Sequence, residues 1–386
     1  MTRASLVVAL LLAACGGGLA HEGGELADLS GPQPSDDWRK APKSASGWTS
    51  ATFGPEKTAA PLACGNGDEA LVRAAKALAK TRTPESGLPG ATELKLTVQR
   101  EGSPFVWPRA FIAWGNDAQA LATSAQSARA QDGEVCGEAL EKRADGTYAL
   151  AIVFAVARAA LAPLPRQVRV GEWVNVDVAT ANNARSAKVY IAHDREAPYA
   201  VPTTFDRGHV IARFAAKAPG VHHVQVVVDM GDGPKPLIEA AVFAGIGPSD
   251  ERYLAGDRIV VSNEASPEAR LLSYLTQARG GKALERRAEL DAVALAHTER
   301  MRAAHKLAHT VDDGTASDRV AAAHIRAKVI GENVALAKTV EEAHQALMAS
   351  PSHRGNILNA AFRAVGLSVL PDADGNVWVT EVFVTP

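Results

Sequence analysis

Apolar residues in residues 59–164 recur with two different periods. Leu71, Ala74 and Leu78 lie at helical spacing after Asp68, which predicts a helix over residues 68–81 with Asp68 as its N-cap. Apolar and polar residues alternate over residues 94–98 and 148–154, a period of two that predicts strands. Together these elements predict a small α+β unit.

The pattern becomes purely strand-like over residues 165–248. Short β-rich runs recur about every ten residues, with turn signals such as Ala218-Pro219-Gly220 between them. Antiparallel β-sandwiches show this spacing, so we predict an immunoglobulin-like β-sandwich with room for one or two further strands. The five runs cover residues 173–178, 188–192, 209–214, 221–228 and 237–243.

From about residue 266 the apolar period lengthens to that of helices. Leu290, Val293, His297 and Met301 form one helical stripe, and a second helix is predicted after the capping sequence that begins at Thr339. Two further features are a short helix predicted with Ser350 as its cap and Pro351 at its first position, and a hairpin predicted at Asp374-Gly375 between two alternating runs. Helices beside such a sheet predict an α-β-α sandwich over residues 266–386.

The N-terminal residues predict export. Arg3 precedes an apolar run that is too short to cross a bilayer, and Leu12-Ala13-Ala14-Cys15 matches the lipobox of bacterial lipoproteins. We therefore predict a signal peptide over residues 1–15, lipidation of Cys15 and a membrane as partner through that anchor. The alternative is an ordinary signal peptide with a chance cysteine. Residues 16–58, rich in glycine, proline and polar residues, are predicted to form a flexible tether.

The net charge limits the possible partners of the protein, and the cysteine count predicts a disulfide. The formal net charge of the 386 residues is -2, so the chain has no basic field for a polyphosphate, and nucleic acid is excluded as a partner. With Cys15 assigned to lipid, Cys64 and Cys136 remain as an even pair in an oxidising compartment, which predicts a disulfide. The overall fold class is thus multidomain α+β, with the three predicted units following the tether.

Four short motifs in the last third of the chain carry a family resemblance. In order they are Ala308-His309-Thr310, Gly331-Glu332-Asn333-Val334-Ala335, Ser350-Pro351-Ser352-His353-Arg354-Gly355-Asn356, and a pair of strands containing Ala364-Val365-Gly366 and Thr380-Glu381-Val382-Phe383. This order resembles the CAP superfamily of cysteine-rich secretory proteins, antigen 5 and pathogenesis-related proteins, and in particular its bacterial, SCP-like branch. The resemblance covers about residues 266–386.

The resemblance implies a surface cleft where histidines and carboxylates converge. By position, His309 matches the first cleft histidine, Glu332 the acidic residue of the second motif, and His353 the histidine of the bacterial third motif. Two imidazoles and a carboxylate can bind Zn²⁺ with one position open, so His309 and His353 are candidate metal ligands and zinc is the candidate cofactor. The same groups can hold water for acid or base chemistry.

The chain also departs from the family pattern. Ser350 stands where eukaryotic members have a second glutamate, Trp378 where they have a second histidine, and Leu347 where a tryptophan is usual. These replacements predict weaker metal binding and disfavour a hydrolytic mechanism with two carboxylates. We therefore assign no catalytic residue.

Structural roles compete with these site roles. Glu332 can accept hydrogen bonds within a buried loop, His353 can cap or pack, and His309 can be an ordinary surface histidine. A rival motif, His305-Lys306-Leu307-Ala308-His309, has zinc-protease spacing, but Lys306 replaces the general-base glutamate.

Three functions follow in order of preference. The first is binding of a lipid, glycan or protein at the cleft of an exported protein of the cell envelope, on a periplasmic or cell-surface membrane face. The second is a scaffold or adhesion protein that uses the predicted sandwich. The third is a metal-assisted or acid-base hydrolase using His309, Glu332 and His353. A shared fold does not decide among them.

Overall fold

The structure is a computed structural model, and it describes residues 64, 67–131, 133–180, 183–194, 196–231, 233–248 and 260–386. Three two-residue strands before these are described by their backbone pairing: β1 (Val7–Val8), β2 (Thr52–Phe53) and β3 (Lys57–Thr58). Cys15 and most of the predicted signal peptide and tether lie outside the described residues. No described helix is both long and apolar enough to cross a membrane.

The first unit is a sheet with helices packed on it. Its strands are β4 (Gly67–Asp68), β5 (Val106–Gly115), β6 (Glu134–Lys142) and β7 (Tyr148–Val156), and they join β1 and β3 in the order β1-β5-β7-β6-β4-β3. The helices are α1 (Glu69–Thr81), α2 (Ala91–Arg100) and α3 (Ala118–Ala125). The predicted cap of α1 is confirmed, because the Asp68 carboxylate accepts a hydrogen bond from the Leu71 N–H at 2.9 Å.

The predicted strand over residues 94–98 is wrong, because these residues form the middle of α2. Leu94 and Val98 pack into the main core, whereas Leu96 packs on Val221 and Phe243 of the next unit. The helix is therefore apolar on two sides. This double burial produces the alternation that imitates a strand.

The predicted disulfide between Cys64 and Cys136 is confirmed. Their Cα atoms are 5.6 Å apart, and the bond links residues 72 positions apart in sequence. Closing a loop of that length constrains the unfolded chain by an amount worth about 4 kcal/mol in the chain-entropy account. The bond ties the start of the described unit to β6 of its central sheet.

The second unit consists of two sheets. One has the order β10-β17-β16-β12-β13 and the other β14-β15-β11-β8, while β9 pairs only with β2. All five predicted strands are confirmed, although the immunoglobulin topology stays a prediction. The strands are β8 (Ala159–Leu161), β9 (Leu164–Pro165), β10 (Gln167–Val168), β11 (Trp173–Thr180), β12 (Ser186–His193), β13 (Tyr199–Val201), β14 (Thr203–Asp206), β15 (His209–Ala215), β16 (Gly220–Asp229) and β17 (Pro234–Ala244).

The first two units share one hydrophobic core. A single buried cluster contains Leu71 and Leu78 of α1 together with Val176 of β11 and Val226 of β16. Phe105 also forms a β-bridge to Ile238 of β17. The predicted boundary near residue 164 therefore does not separate two cores.

The C-terminal unit is a four-stranded sheet with helices on both faces. The sheet has the order β18-β20-β21-β19, so β19 is an edge strand. Its strands are β18 (Glu285–Arg286), β19 (Val329–Ala337), β20 (Ala364–Pro371) and β21 (Val377–Thr385), and the predicted hairpin joins the last two. The helices are α4 (Pro267–Ala278), α5 (Ala288–Ala303), α6 (Ala316–Ala322), α7 (Val340–Met348) and α8 (Pro351–Leu358).

Alternation along the strands assigns each side chain of this sheet to a face. Val382 packs with Leu290 and Val293 of α5, whereas Val379 and Phe383 pack with residues of α4, α7 and α8. The same alternation puts neighbouring residues of β19 on opposite faces. Glu332 therefore faces α5 and α6, and Asn333 faces α7 and α8.

Gly366 allows α5 to lie directly on β20. A Cβ atom at this position would lie 2.2 Å from the carbonyl carbon of Leu290 and 2.3 Å from its oxygen. No side chain fits there without separating helix and strand. The glycine of the fourth motif therefore sets the spacing of the helix that carries His297.

Candidate functional site

The centre of the site is a buried pair formed by His309, in the loop between α5 and α6, and Glu332, on the edge strand β19. The ring Nδ1 of His309 lies 2.8 Å from Oε1 of Glu332, and both side chains are buried. Because a carboxylate only accepts, the His309 Nδ1 carries the proton of this bond. The Gly331 that precedes Glu332 is required by close packing, since a Cβ there would lie 2.7 Å from Cζ of Phe362.

The second oxygen of Glu332 is also engaged. Nη2 of Arg319, on α6, donates to Oε2 in a buried ion pair. Burial raises the pKa of Glu332, but the hydrogen bond from His309 and the charges of His309, Arg319 and His297 outweigh it and lower the pKa to about 2. Glu332 is therefore a fixed carboxylate with both oxygens occupied.

Two side chains hold the loop that carries His309. His297, on α5, contacts the Asp313 carboxylate through Nδ1 at 2.6 Å and the Ala308 carbonyl through Nε2 at 3.0 Å. Since both partners are acceptors, both ring nitrogens must donate for both bonds to form. Arg319 donates to the His309 carbonyl at 3.1 Å and to the Gly314 carbonyl at 2.7 Å. Hydrogen bonds and ion pairs between basic and acidic side chains thus link α5, the loop and β19.

His353 reaches the same strand from the other face of the sheet. Nδ2 of Asn333 donates to the His353 carbonyl at 3.2 Å, and Nδ2 of Asn356 donates to the Glu332 carbonyl at 3.1 Å. These bonds attach α8 to β19 next to Glu332. The ring of His353 is completely buried, and its Nδ1 lies 2.8 Å from Oγ of Ser350.

The two candidate histidines each keep one unused ring nitrogen. Nε2 of His309 and Nε2 of His353 are buried and have no hydrogen-bond partner among the described residues. Burial is the main cause that lowers the pKa of His353, and the electrostatic effect of His309 adds to it. The structure thus brings His309 and Glu332 into direct contact and places His353 within electrostatic range of them.

Comparison with known proteins now identifies this unit. The family model of the cysteine-rich secretory protein family, CAP, matches residues 257–384. The C-terminal part of this chain is a CAP domain. No curated protein matches the chain.

Three solved structures resemble parts of the chain. An outer surface protein of Borrelia burgdorferi is 20% identical with a TM-score of 0.30, covering 34% of this chain and 98% of its own. An extracellular SCP-domain protein of Bacillus anthracis is 17% identical with a TM-score of 0.29, covering 60% and 86%. A cysteine-rich secretory protein of Staphylococcus aureus is 12% identical with a TM-score of 0.27, covering 70% and 91%. At these scores the likeness carries no argument about function.

The residues of this CAP domain do not fit the zinc site that the resemblance implies. A zinc set of two imidazoles and a carboxylate needs a free carboxylate oxygen, and both oxygens of Glu332 are held by His309 and Arg319. Within the described part of the chain, no group of three or more His, Cys, Asp or Glu side chains is arranged to hold a metal ion.

The rival zinc motif does not form. Helix α5 ends at Ala303, and His305 follows it with a φ of 47°. His305 is exposed whereas His309 is buried, so the two rings do not share a helical face.

The three departures from the family pattern have structural roles. Ser350 occupies the N-cap position of α8, but its hydroxyl bonds to no backbone N–H of that helix, contrary to the predicted cap. Trp378 is buried and donates through Nε1 to Asp372 at 3.0 Å. Leu347 packs in the core between α7 and the sheet.

One buried acid near the site was missed by the sequence analysis. Glu381, on β21, pairs in register with Asn333 and accepts a hydrogen bond from its Nδ2 at 2.9 Å. Burial raises the pKa of Glu381 to about 8, against the weaker lowering by that hydrogen bond, so the group is predominantly a neutral acid below that pH. A charged residue in an otherwise apolar strand was the signal in the sequence.

Other parts of the chain pack over this group of residues. A Cβ on Gly233, immediately before β17, would lie 3.2 Å from Cβ of His309, and one on Gly355 would lie 3.2 Å from Cγ of Pro198. Nη1 of Arg354 donates to the Asp194 carbonyl at 2.8 Å. The two-sheet unit therefore contacts the CAP domain on both sides of the predicted site.

Proposed function

We propose that this chain is an exported binding protein whose CAP domain holds a ligand between the imidazoles of His309 and His353. The observation that carries this proposal is the pair of buried Nε2 atoms without partners in the described structure. Buried polar groups are normally hydrogen-bonded, so such atoms mark where water or a polar ligand group belongs. His309 is held by Glu332 and His353 by Ser350, so both rings have fixed positions.

Binding is favoured over hydrolysis by the state of Glu332. A general base for hydrolysis needs an oxygen within reach of a water and a pKa near the working pH. Glu332 has neither, because both oxygens are bonded and its pKa is about 2. Its role in the proposal is to orient His309.

The binding site can be tested by removing only the two unused nitrogens. Asparagine reaches the position of Nδ1 but has no atom at Nε2, so His309→Asn/His353→Asn retains the side-chain partners of both rings. In the full chain, at least one probe from a panel of acetate, inorganic phosphate, N-acetylglucosamine and phosphorylated lipid headgroups should raise the unfolding temperature. A probe at 100 times its Kd stabilises by about 2.7 kcal/mol.

The matched control is His305→Asn, an exposed histidine on the same loop whose positive φ asparagine tolerates. It should respond to the probe as the wild type does, while the double variant should not. An equal response of the double variant, or no response of the wild type to any probe, would refute the cleft as the binding site.

Export and anchoring form a separate part of the proposal. A disulfide at Cys64–Cys136 is typical of oxidising compartments, and the residues around Cys15 resemble a lipobox. Cys15→Ser should move the protein from the membrane fraction to the soluble fraction of the exported pool. Membrane retention of the variant at the wild-type level would contradict lipidation at this residue.

A further inference from the structure

The two-sheet unit contributes a buried side chain to the N-terminal end of α8. Gln225, on β16, is completely buried between its own cross-strand neighbour Glu239 and the CAP residues Ser350 and Ser352. Lys95 of α2 forms an ion pair with Glu239 and donates to the Ala349 carbonyl at 3.1 Å. All three units of the chain therefore meet beside His353.

The orientation of the Gln225 amide is fixed by unambiguous partners. Its Oε1 accepts from the backbone N–H of Ser352 at 2.7 Å, and a backbone N–H can only donate. Its Nε2 lies 2.6 Å from Oε1 of the Glu239 carboxylate, which forms an ion pair with Lys95 and accepts. Reversing the amide would break both bonds. The second hydrogen on Nε2 therefore points to Oγ of Ser350, at 2.8 Å.

That bond determines which acceptor the Ser350 hydroxyl donates to. Because Oγ accepts from Gln225, its hydrogen is free for another acceptor, and Nδ1 of His353, at 2.8 Å, is the one that the described residues offer. Nδ1 of His353 therefore accepts a hydrogen bond from the Ser350 hydroxyl, and the ring carries its own proton on Nε2. A nitrogen that accepts a hydrogen bond carries no proton, so the ring is neutral.

We infer that the chain of hydrogen bonds from Glu239 through Gln225 and Ser350 makes His353 a hydrogen-bond donor, and that the cleft takes an oxygen acceptor such as a carboxylate. This inference rests on the proposed binding function and specifies its ligand class. A zinc ion needs the lone pair of Nε2, which the proton occupies. For His353 to bind a metal, its hydrogen bond with Ser350 would have to reverse, so that Nδ1 donates to Oγ. The hydrogen of the Ser350 hydroxyl would then have no acceptor. Gln225 is thus a positioning residue supplied by another unit.

The tautomer of His353 can be read directly in the wild type. In nitrogen NMR of the full chain labelled at histidine, Nε2 of His353 should carry the proton and Nδ1 should not. A proton on Nδ1 would overturn the inference while leaving cleft binding possible. Acetate should shift the Nε2 signal of His353 on titration. The expected tautomer with no acetate-induced shift up to saturating salt would instead overturn the carboxylate class.

Variants of Ser350 reverse or preserve the tautomer. Ser350→Asp places a carboxylate that can only accept, so Gln225 still donates to it and His353 must donate from Nδ1, which frees the Nε2 lone pair. Zn²⁺ should then bind at least about tenfold more tightly than to the wild type, the ratio that corresponds to one unpaired buried hydroxyl. Ser350→Thr retains a hydroxyl and should retain the wild-type tautomer and zinc affinity.

The contribution of Gln225 has its own test. Gln225→Met removes the amide but fills a similar volume, so the Ser350 hydroxyl loses its fixed direction. The nitrogen spectrum of His353 should change from a single tautomer to a mixture, a result that packing alone does not predict. A single Nε2–H tautomer in this variant, or equal zinc affinity in wild type and Ser350→Asp, would show that the hydrogen-bond chain does not control the site.

Discussion

A Glu332→Ala variant should lose roughly 3–5 kcal/mol from the stability of the CAP sheet, the range observed when one partner of a buried ion pair is removed. The carboxylate is the acceptor for both Arg319 and His309, and all three side chains are buried. Without it, the charge of Arg319 remains in the interior with only part of its compensation. Hydrogen exchange of the amides in β19 and β21 at pH 7 measures the loss.

Two comparisons make this result specific. Glu299→Ala, at an exposed position on α5, should leave exchange in β19 and β21 at the wild-type level. The folded pKa of Glu332 lies at about 2, below the usual 4.5 of a glutamate, so its contribution is present above pH 4.5 and is lost as the pH falls from 4.5 towards 2. Unchanged protection in Glu332→Ala at pH 7 would contradict the assignment of Glu332 as the central acceptor.

Glu381→Gln should remove a pH dependence from the stability of the same sheet. The folded pKa of Glu381 is raised to about 8 from 4.5, so between these values the folded state holds a proton that the unfolded state has lost. Stability of the wild type therefore falls as the pH rises from 4.5 to 8 and levels off above it. Each pKa unit is worth about 1.4 kcal/mol, so the total is a few kcal/mol.

Glutamine keeps an acceptor for Asn333 and cannot ionise, so the variant should show a much flatter profile over this range. The measurement is the thermal unfolding midpoint of the CAP domain within the full chain at several values between pH 5 and pH 8. Glu289→Gln, at an exposed position in the first turn of α5, is the matched control and should keep the wild-type slope. A wild-type profile that is already flat would show that Glu381 is not a buried neutral acid.

Local signals in the sequence predicted most elements correctly, for physical reasons visible at single residues. Asp68 caps α1 and Thr339 accepts from the Glu342 N–H in α7, because both caps depend on atoms only three residues apart. The alternating strands of the two-sheet unit were predicted because one face of each sheet fills a core. Helix α2 was mispredicted because its second apolar face packs on a unit more than 100 residues away in the sequence.

The residues of the site show the same difference between local signals, which the sequence reveals, and distant contacts, which it does not. Motif order predicted His309, Glu332 and His353, and the structure places them around one edge strand. Arg319, Asp313 and Gln225 could not be predicted, because nothing in their local sequence indicates which distant group they bond. Gln225 lies on the face of β16 opposite the main core, where alternation predicts solvent, yet α8 covers it.

The N–H of Ser352 has a consequence for how this protein is made. The backbone N–H of Ser352, in the first turn of α8, has no acceptor within its own helix and donates to Gln225. Gln225 leaves the ribosome well before this helix does. Multidomain chains generally fold from the N-terminus as synthesis proceeds. Helix α8 can therefore form this hydrogen bond with a two-sheet unit that has already folded. An excised CAP domain would lack that template, and its third motif would fold with one amide and one serine hydroxyl facing water.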